Sequence, residues 1–538
     1  FLLYGGQSDQ VAGEFWAGRN HTEIDIECKD ASSCGHIYGK KQIWAESSTS
    51  GDMSFQRSPA MLKPGVDNSF IAGINATLLH VYIQQPDERM PGISAWFGTE
   101  FNRHNSWFSF MDLYTDYLRR SNYLLQQGDY VADVAYFIGE DAPKMAGIRV
   151  PEIPEGYCYD YINAEVLHKY SRVEDGCLVL DSGMRYRVLV LPPQTTMRPE
   201  MLECIAALVR DGLTVIGPQP VKSPSLQGWP DADGRVCALA EDLWGGNCGK
   251  GRIYPEGTSL ETVFADLGIA PDCILAGDGT VRFVHRHVAD ADIFFIANSE
   301  EHPVDVKASF RDTGRSGAEL WDAVTGSRRG IALEGGAGLQ TVSFPLESFG
   351  STFIVLRDDA MPVRELKPAE SITVEGPWEV GFDAVAGNGA FTAEFPALCD
   401  WAGSEDERIR YFSGTAAITA KPGVTGAVNV TVTSGYHQET IRVYISPDDG
   451  RQKVRINGEY AGGVWTAPYT LDITPFVHEG INRIEVDLAN NWLNRLIGDS
   501  RLPEAERGTW THNNPAGDRD IELQPSGLLG PVTVCALK

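Results

Sequence analysis

Several familiar signatures are missing from this 538-residue sequence, and each absence removes a class of function. Ten cysteines are present, but no two form a CxxC pair, so a zinc or thioredoxin-like site has no support. No GxGxxG follows a strand pattern and no P-loop occurs, which leaves nucleotide binding without a motif. The GxSxG elbow of α/β-hydrolases and the HExxH of zinc peptidases are both lacking. No apolar run approaches the roughly 18 to 20 residues of a membrane span. Basic residues are scarce: 45 Lys and Arg stand against 73 Asp and Glu, a net charge of −28. Phosphate backbones and anionic lipid surfaces need the opposite balance, so neither nucleic acid nor membrane is expected as a partner. A neutral ligand such as a sugar is compatible with this charge, although acidity also serves solubility alone.

What is present is punctuated by 56 Gly and 30 Pro. The length exceeds one hydrophobic core and predicts two to four domains. "FLLYGGQSDQ" reads as a strand already in progress and then a loop. Residues 1–128 then alternate strand and helix patterns, ending in the amphipathic "SWFSFMDLYTDYLRRSNYLLQQG". This alternation predicts parallel α/β structure, whose chemistry gathers at the carboxyl ends of strands. Residues 129–275 read as a doubly wound, Rossmann- or flavodoxin-like α/β domain, which by itself indicates no function. Residues 276–358 read as a small β-sandwich and residues 372–538 as a second all-β domain, with an Asn-Gly hairpin signal in "INGEYAG". Most cysteines, such as Cys204 in "MLECIAALV", read as small buried hydrophobes.

The residues able to do chemistry cluster in the first segment. Glu14 in "VAGEFWAG" and Glu46 in "IWAESST" are carboxylates flanked by aromatic and small residues. Aromatic faces pack on sugar C–H surfaces, and paired carboxylates supply the acid and base of glycosidic cleavage. Trp44 shares a strand face with Glu46, two residues on. His80 and Tyr82 follow at the next strand end, and Arg103 lies in the polar-aromatic run "WFGTEFNRHNSWF". Each has a plainer reading. A glutamate after a strand is commonly a helix cap or ion-pair partner, His80 can donate to a backbone carbonyl, and Arg103 can be a structural cation.

Longer stretches carry a resemblance. "CKDASSCGHIYGKKQIWAESSTS", "HVYIQQP", "PGISAWFGTEFNRHNSWF" and "YLRRSNYLLQQGDYVADVAYFIGEDAP" together resemble the family 106 glycoside hydrolases, the α-L-rhamnosidases. "RINGEYAGGVWTAPYTLDIT" and "NNWLNRLIGD" resemble the galactose-binding-like jelly rolls of family 2 glycosidases. The resemblance implies a (β/α)8 catalytic barrel, inversion at the anomeric carbon, a rhamnose-containing carbohydrate as substrate and a calcium ion beside the sugar. It implies that Glu46 is the general base and that Glu14 belongs to the same site, holding the metal or the sugar hydroxyls. It also implies a general acid on an earlier barrel strand. No matching segment precedes Phe1, so the chain is expected to carry the second half of the barrel. Two alternatives stay open: a retaining family 2-like glycosidase, and a non-catalytic glycan-binding protein. An export signal would also lie ahead of Phe1, so the compartment is left undecided.

Overall fold

The computed structural model describes residues 1–18, 23–51, 54–94, 96–140, 147–336, 338–364, 367–420, 440–445, 451–517 and 521–537. Among them the first segment builds a parallel sheet in the order β1 (Val11–Trp16), β2 (Ile43–Thr49), β3 (Ala76–Leu79). Helix α2 (Ile26–Tyr38) links β1 to β2, and α3 (Pro59–Ile71) links β2 to β3. Asp25 caps α2 by accepting the Glu27 and Cys28 amides, and Gly39 ends it in the left-handed region at φ 73°. Ser58 caps α3 and Pro59 starts it. The side chains of Val11, Phe15, Ile43 and Ala45 are buried in the core that this helix layer shares with the sheet. Gly13 lies against α2 so closely that a Cβ there would meet the Glu27 carbonyl at 2.7 Å.

No sheet closes on itself among the described residues, so this segment is an open three-stranded sheet with α-helices, not a closed barrel. Residues 2–7 depart from expectation. They form helix α1 (Leu2–Gln7) rather than a strand. The reason lies in Gly5 and Gly6, where a Cβ would strike Cys34 Sγ at 2.6 Å and the Tyr38 ring at 2.3 Å. The two glycines let α1 press onto α2. The strand expected from residue 76 onward stops at Leu79, and α4 (Met111–Leu125) starts five residues later than its apolar pattern.

The second unit is a five-stranded parallel sheet. In space its strands run Tyr159–Ile162, Val134–Phe137, Val188–Val190, Thr214–Gly217, Arg252–Pro255, the 2-1-3-4-5 order of doubly wound folds. It is tied to the first unit by Asp160, whose fully buried carboxylate accepts from Lys29 (3.1 Å), Ser33 (2.9 Å), His36 (3.0 Å) and Tyr186 (3.0 Å). Burial opposes its ionisation, but these donors hold the carboxyl below the ordinary range.

A sandwich of a six-stranded and a four-stranded sheet follows, packed around Phe294, Phe310 and Ile354. It takes in Asp129–Tyr130 and Cys273–Ala276 as well as the strands between 281 and 357. A further pair of antiparallel sheets spans 368–537, with Trp378, Phe382, Val454 and Leu488 in its core. Its Asn457-Gly458 turn has φ 55° and 84°, as a two-residue hairpin turn requires. Of the ten cysteines only Cys28, Cys34 and Cys273 are fully buried; Cys399 is exposed, and all ten are free thiols. Among the described residues no helix is long and apolar enough to cross a membrane.

Candidate active site

Glu14 and Glu46 are direct neighbours. The parallel register pairs Ala12 with Trp44 and Ala76, then Glu14 with Glu46 and Leu78. Because side chains alternate, Trp44 and Glu46 lie on the sheet face opposite buried Ile43 and Ala45. The two glutamates thus stand side by side on adjacent strands, on the face away from the buried helix side. Glu46 lies inside β2 rather than at its end, since the strand runs on through Ser47, Ser48 and Thr49. Its side chain is about half exposed, with Thr49 Oγ1 at 3.5 Å.

The carboxyl end of β2 is irregular. Between Phe15 and Trp16 the register skips Ser48, whose φ of 67° is rare for a residue with a side chain. This bulge kinks the strand where it meets the loops, a common device beside ligand sites. Ser48 O accepts from Thr99 Oγ1 (2.9 Å), while Thr99 N donates to His80 O (3.0 Å). The segment around Thr99 is thereby fastened across the ends of β2 and β3.

His80 follows β3, its amide donating to Ser47 O. Its Nε2 stands 3.6 Å from Glu46 Oε1, and its ring stacks on Phe97 with centroids 5.5 Å apart. Among the described residues, His80 Nδ1 and Trp44 Nε1 are buried polar atoms without a protein hydrogen-bond partner. Tyr82 is half exposed, its ring 6.4 Å from that of Phe108. Arg103 braces the neighbouring loop instead, pairing with Glu88 (2.6 Å) and donating to the Gln85 and Asp87 carbonyls. The structure therefore brings Glu14, Trp44, Glu46 and His80 together and leaves Tyr82 and Arg103 in the adjoining loops.

Calcium takes six to eight oxygen ligands. Glu14 and Glu46 offer two carboxylates, and no group of three or more His, Cys, Asp or Glu among the described residues is placed to hold a metal ion. These side chains alone do not make a calcium cage, and no step below is routed through one.

Glu100 was visible in the sequence only as one of several polar residues in its loop. It is buried, one oxygen accepting the Phe55 amide at 2.9 Å. Burial pushes its carboxyl up to about 7. Glu100 joins the loop after β2 to the loop after β3. The C-terminal β domain packs over the same loops. Trp492 donates to the His104 carbonyl (2.9 Å) and Asn491 to that of Gln56 (3.3 Å), while Arg89 lies 3.7 Å from the Trp510 ring. Trp492 and Phe55 share a small core with Leu493, Leu496 and Ile497.

A sequence model of glycoside hydrolase family 106, described as alpha-L-rhamnosidase, matches residues 1–334. The fold superposes with a TM-score of 0.90 on the structure of a rhamnosidase from Novosphingobium sp. PP1Y, at 32% identity, covering 99% of this chain and 52% of that one. A curated protein of Formosa agariphila, provisionally named a beta-glucuronidase, is 35% identical over 348 residues, which is 64% of this chain and 29% of its own length. The chain spans about half the length of the matched structure and under a third of the curated relative.

Proposed function

The chain belongs to glycoside hydrolase family 106, and on that premise we propose that the protein is an inverting α-L-rhamnosidase with Glu46 as its general base. The observation that carries this reading is the position of Glu46: partly exposed, in register with Glu14, and within 3.6 Å of His80. In this mechanism Glu46 takes a proton from the water that attacks the anomeric carbon. The C–O bond to the leaving group breaks as the new one forms, and the acid that protonates that oxygen stands on the opposite face of the sugar. Inversion needs the two carboxyls roughly 6.5–9.5 Å apart, and the acid is assigned to a residue other than Glu14. Glu14 is instead placed to accept hydrogen bonds from sugar hydroxyls. Trp44 and His80, each with a buried nitrogen lacking a protein partner among the described residues, are suited to orient the ligand.

The in-register pairing of Glu14 with Glu46 also admits a second reading. Retaining glycosidases hold their carboxyls about 5–5.5 Å apart, and here Glu14 and Glu46 would serve as acid and nucleophile. The two readings separate cleanly. NMR of the first sugar released from an aryl α-L-rhamnoside gives the β-anomer under inversion and the α-anomer under retention. The name carried by the Formosa agariphila protein makes an aryl β-glucuronide the control substrate; its preferential cleavage would overturn the rhamnoside assignment.

A further inference from the structure

Beyond Glu46 the structure carries a second feature suited to a sugar. Trp96 is 71% exposed and Phe97 38% exposed. Their rings meet edge to face, with centroids 4.7 Å apart at 79°. Phe97 in turn stacks on His80, and His80 reaches Glu46. The backbone fixes this arrangement, because the Phe97 carbonyl accepts the Ser50 amide at 3.2 Å just past the end of β2. A continuous path of side chains thus runs from the carboxylate through His80 and Phe97 to an open indole.

Isolated exposed aromatics are ordinary on protein surfaces and require no ligand. This pair differs because it is continuous with the candidate site. Resting on the glycosidase reading, we propose that Trp96 and Phe97 are a platform for the ring of a second, neutral sugar, linked to the one held at Glu46. Aromatic faces attract the C–H surfaces of pyranose rings and bury large apolar area without requiring charge. A protein of net charge −28 favours a neutral ring there over an anionic one. The substrate class is then an oligosaccharide or diglycoside, whose second ring supplies binding energy that a simple rhamnoside lacks.

The test compares a rhamnosyl-glucose disaccharide with methyl α-L-rhamnoside in the wild type, Trp96→Ala and Trp96→Phe. The ratio of kcat/KM, disaccharide over methyl glycoside, falls about tenfold in Trp96→Ala and returns to within about twofold of wild type in Trp96→Phe. A ratio that does not move in Trp96→Ala, or that stays low in Trp96→Phe, overturns the platform. If the wild type, expressed from the gene extended upstream of Phe1, cleaves neither glycoside, the rhamnosidase reading fails separately. The platform is then judged by calorimetric titration with rhamnosyl-glucose, cellobiose and lactose. Binding of any of them that weakens about tenfold in Trp96→Ala supports it; no binding, or binding indifferent to the substitution, overturns it.

Discussion

Replacing Glu100 with glutamine gives a stability difference whose sign and pH window follow from its surroundings. Glu100 is 2% exposed and holds its proton up to about pH 7, against an ordinary value of 4.5. Below pH 4.5 folded and unfolded states both carry a neutral carboxyl, and the full stability is present. Between 4.5 and about 7 the unfolded chain ionises while the folded one does not, so stability falls as pH rises. Above 7 both states are ionised and the loss stops growing. The gap between 4.5 and about 7 corresponds to about 3 kcal/mol. Glutamine keeps the shape and an oxygen to accept the Phe55 amide, but it does not titrate. Asp30 and His285 also have raised values, so the wild-type curve alone does not isolate Glu100. The difference between Glu100→Gln and wild type does. A chain with several cores need not unfold in two states, so the readout is the difference in urea midpoint at each pH. The variant gains on the wild type steadily from about pH 4.5 to 7 and holds a constant lead above that. A difference that is flat with pH, or a wild type that gains as pH rises, refutes the argument.

Asp160→Asn leaves Lys29 buried without its counter-charge and should cost about 3–5 kcal/mol of stability; a melting temperature equal to wild type would contradict this. Trp492→Ala removes a fully buried ring and the hydrogen bond to His104 O, with an expected loss of about 3–5 kcal/mol. Hydrogen exchange in that variant should rise in residues 99–107, and protection unchanged there would show that the C-terminal domain does not hold the site loops. Gly13→Ala drives a methyl against the α2 backbone and should cost about 1–3 kcal/mol, read from thermal melts; a neutral effect would mean that α2 yields easily.

The parts of the fold legible in the sequence were those governed by nearby residues. The α3 pattern, the Gly39 terminus of α2 and the Asn457-Gly458 turn rest on local rules. The pairing of Glu14 with Glu46 was not legible, because register between parallel strands is set by packing across an intervening helix. Residues 2–7 misled for a related reason. "LLYGG" has poor helix propensity, yet the two glycines fit it against Cys34 and Tyr38, more than 25 positions away. Arg103 stood among aromatic and polar residues suggestive of a ligand, but its partners proved to be Glu88 and two carbonyls. Glu100 gave no distinguishing signal, since its altered chemistry comes from burial beneath Phe55 and beside Asn105. Trp44 and Glu46 fell on one strand face by simple alternation, which the sequence does show.

The most direct test of the central claim is chemical rescue at Glu46. In protein from the gene extended upstream of Phe1, Glu46→Ala should release rhamnose from an aryl α-L-rhamnoside at least about 100-fold more slowly than wild type. Azide, a small nucleophile that needs no base, should restore turnover and give the β-L-rhamnosyl azide, while the wild type releases β-rhamnose first; Glu46 as the nucleophile of a retaining enzyme gives the same azide but α-rhamnose. A variant that keeps most of its activity, a wild type that releases α-rhamnose first, or an azide product of retained configuration would contradict Glu46 as the general base.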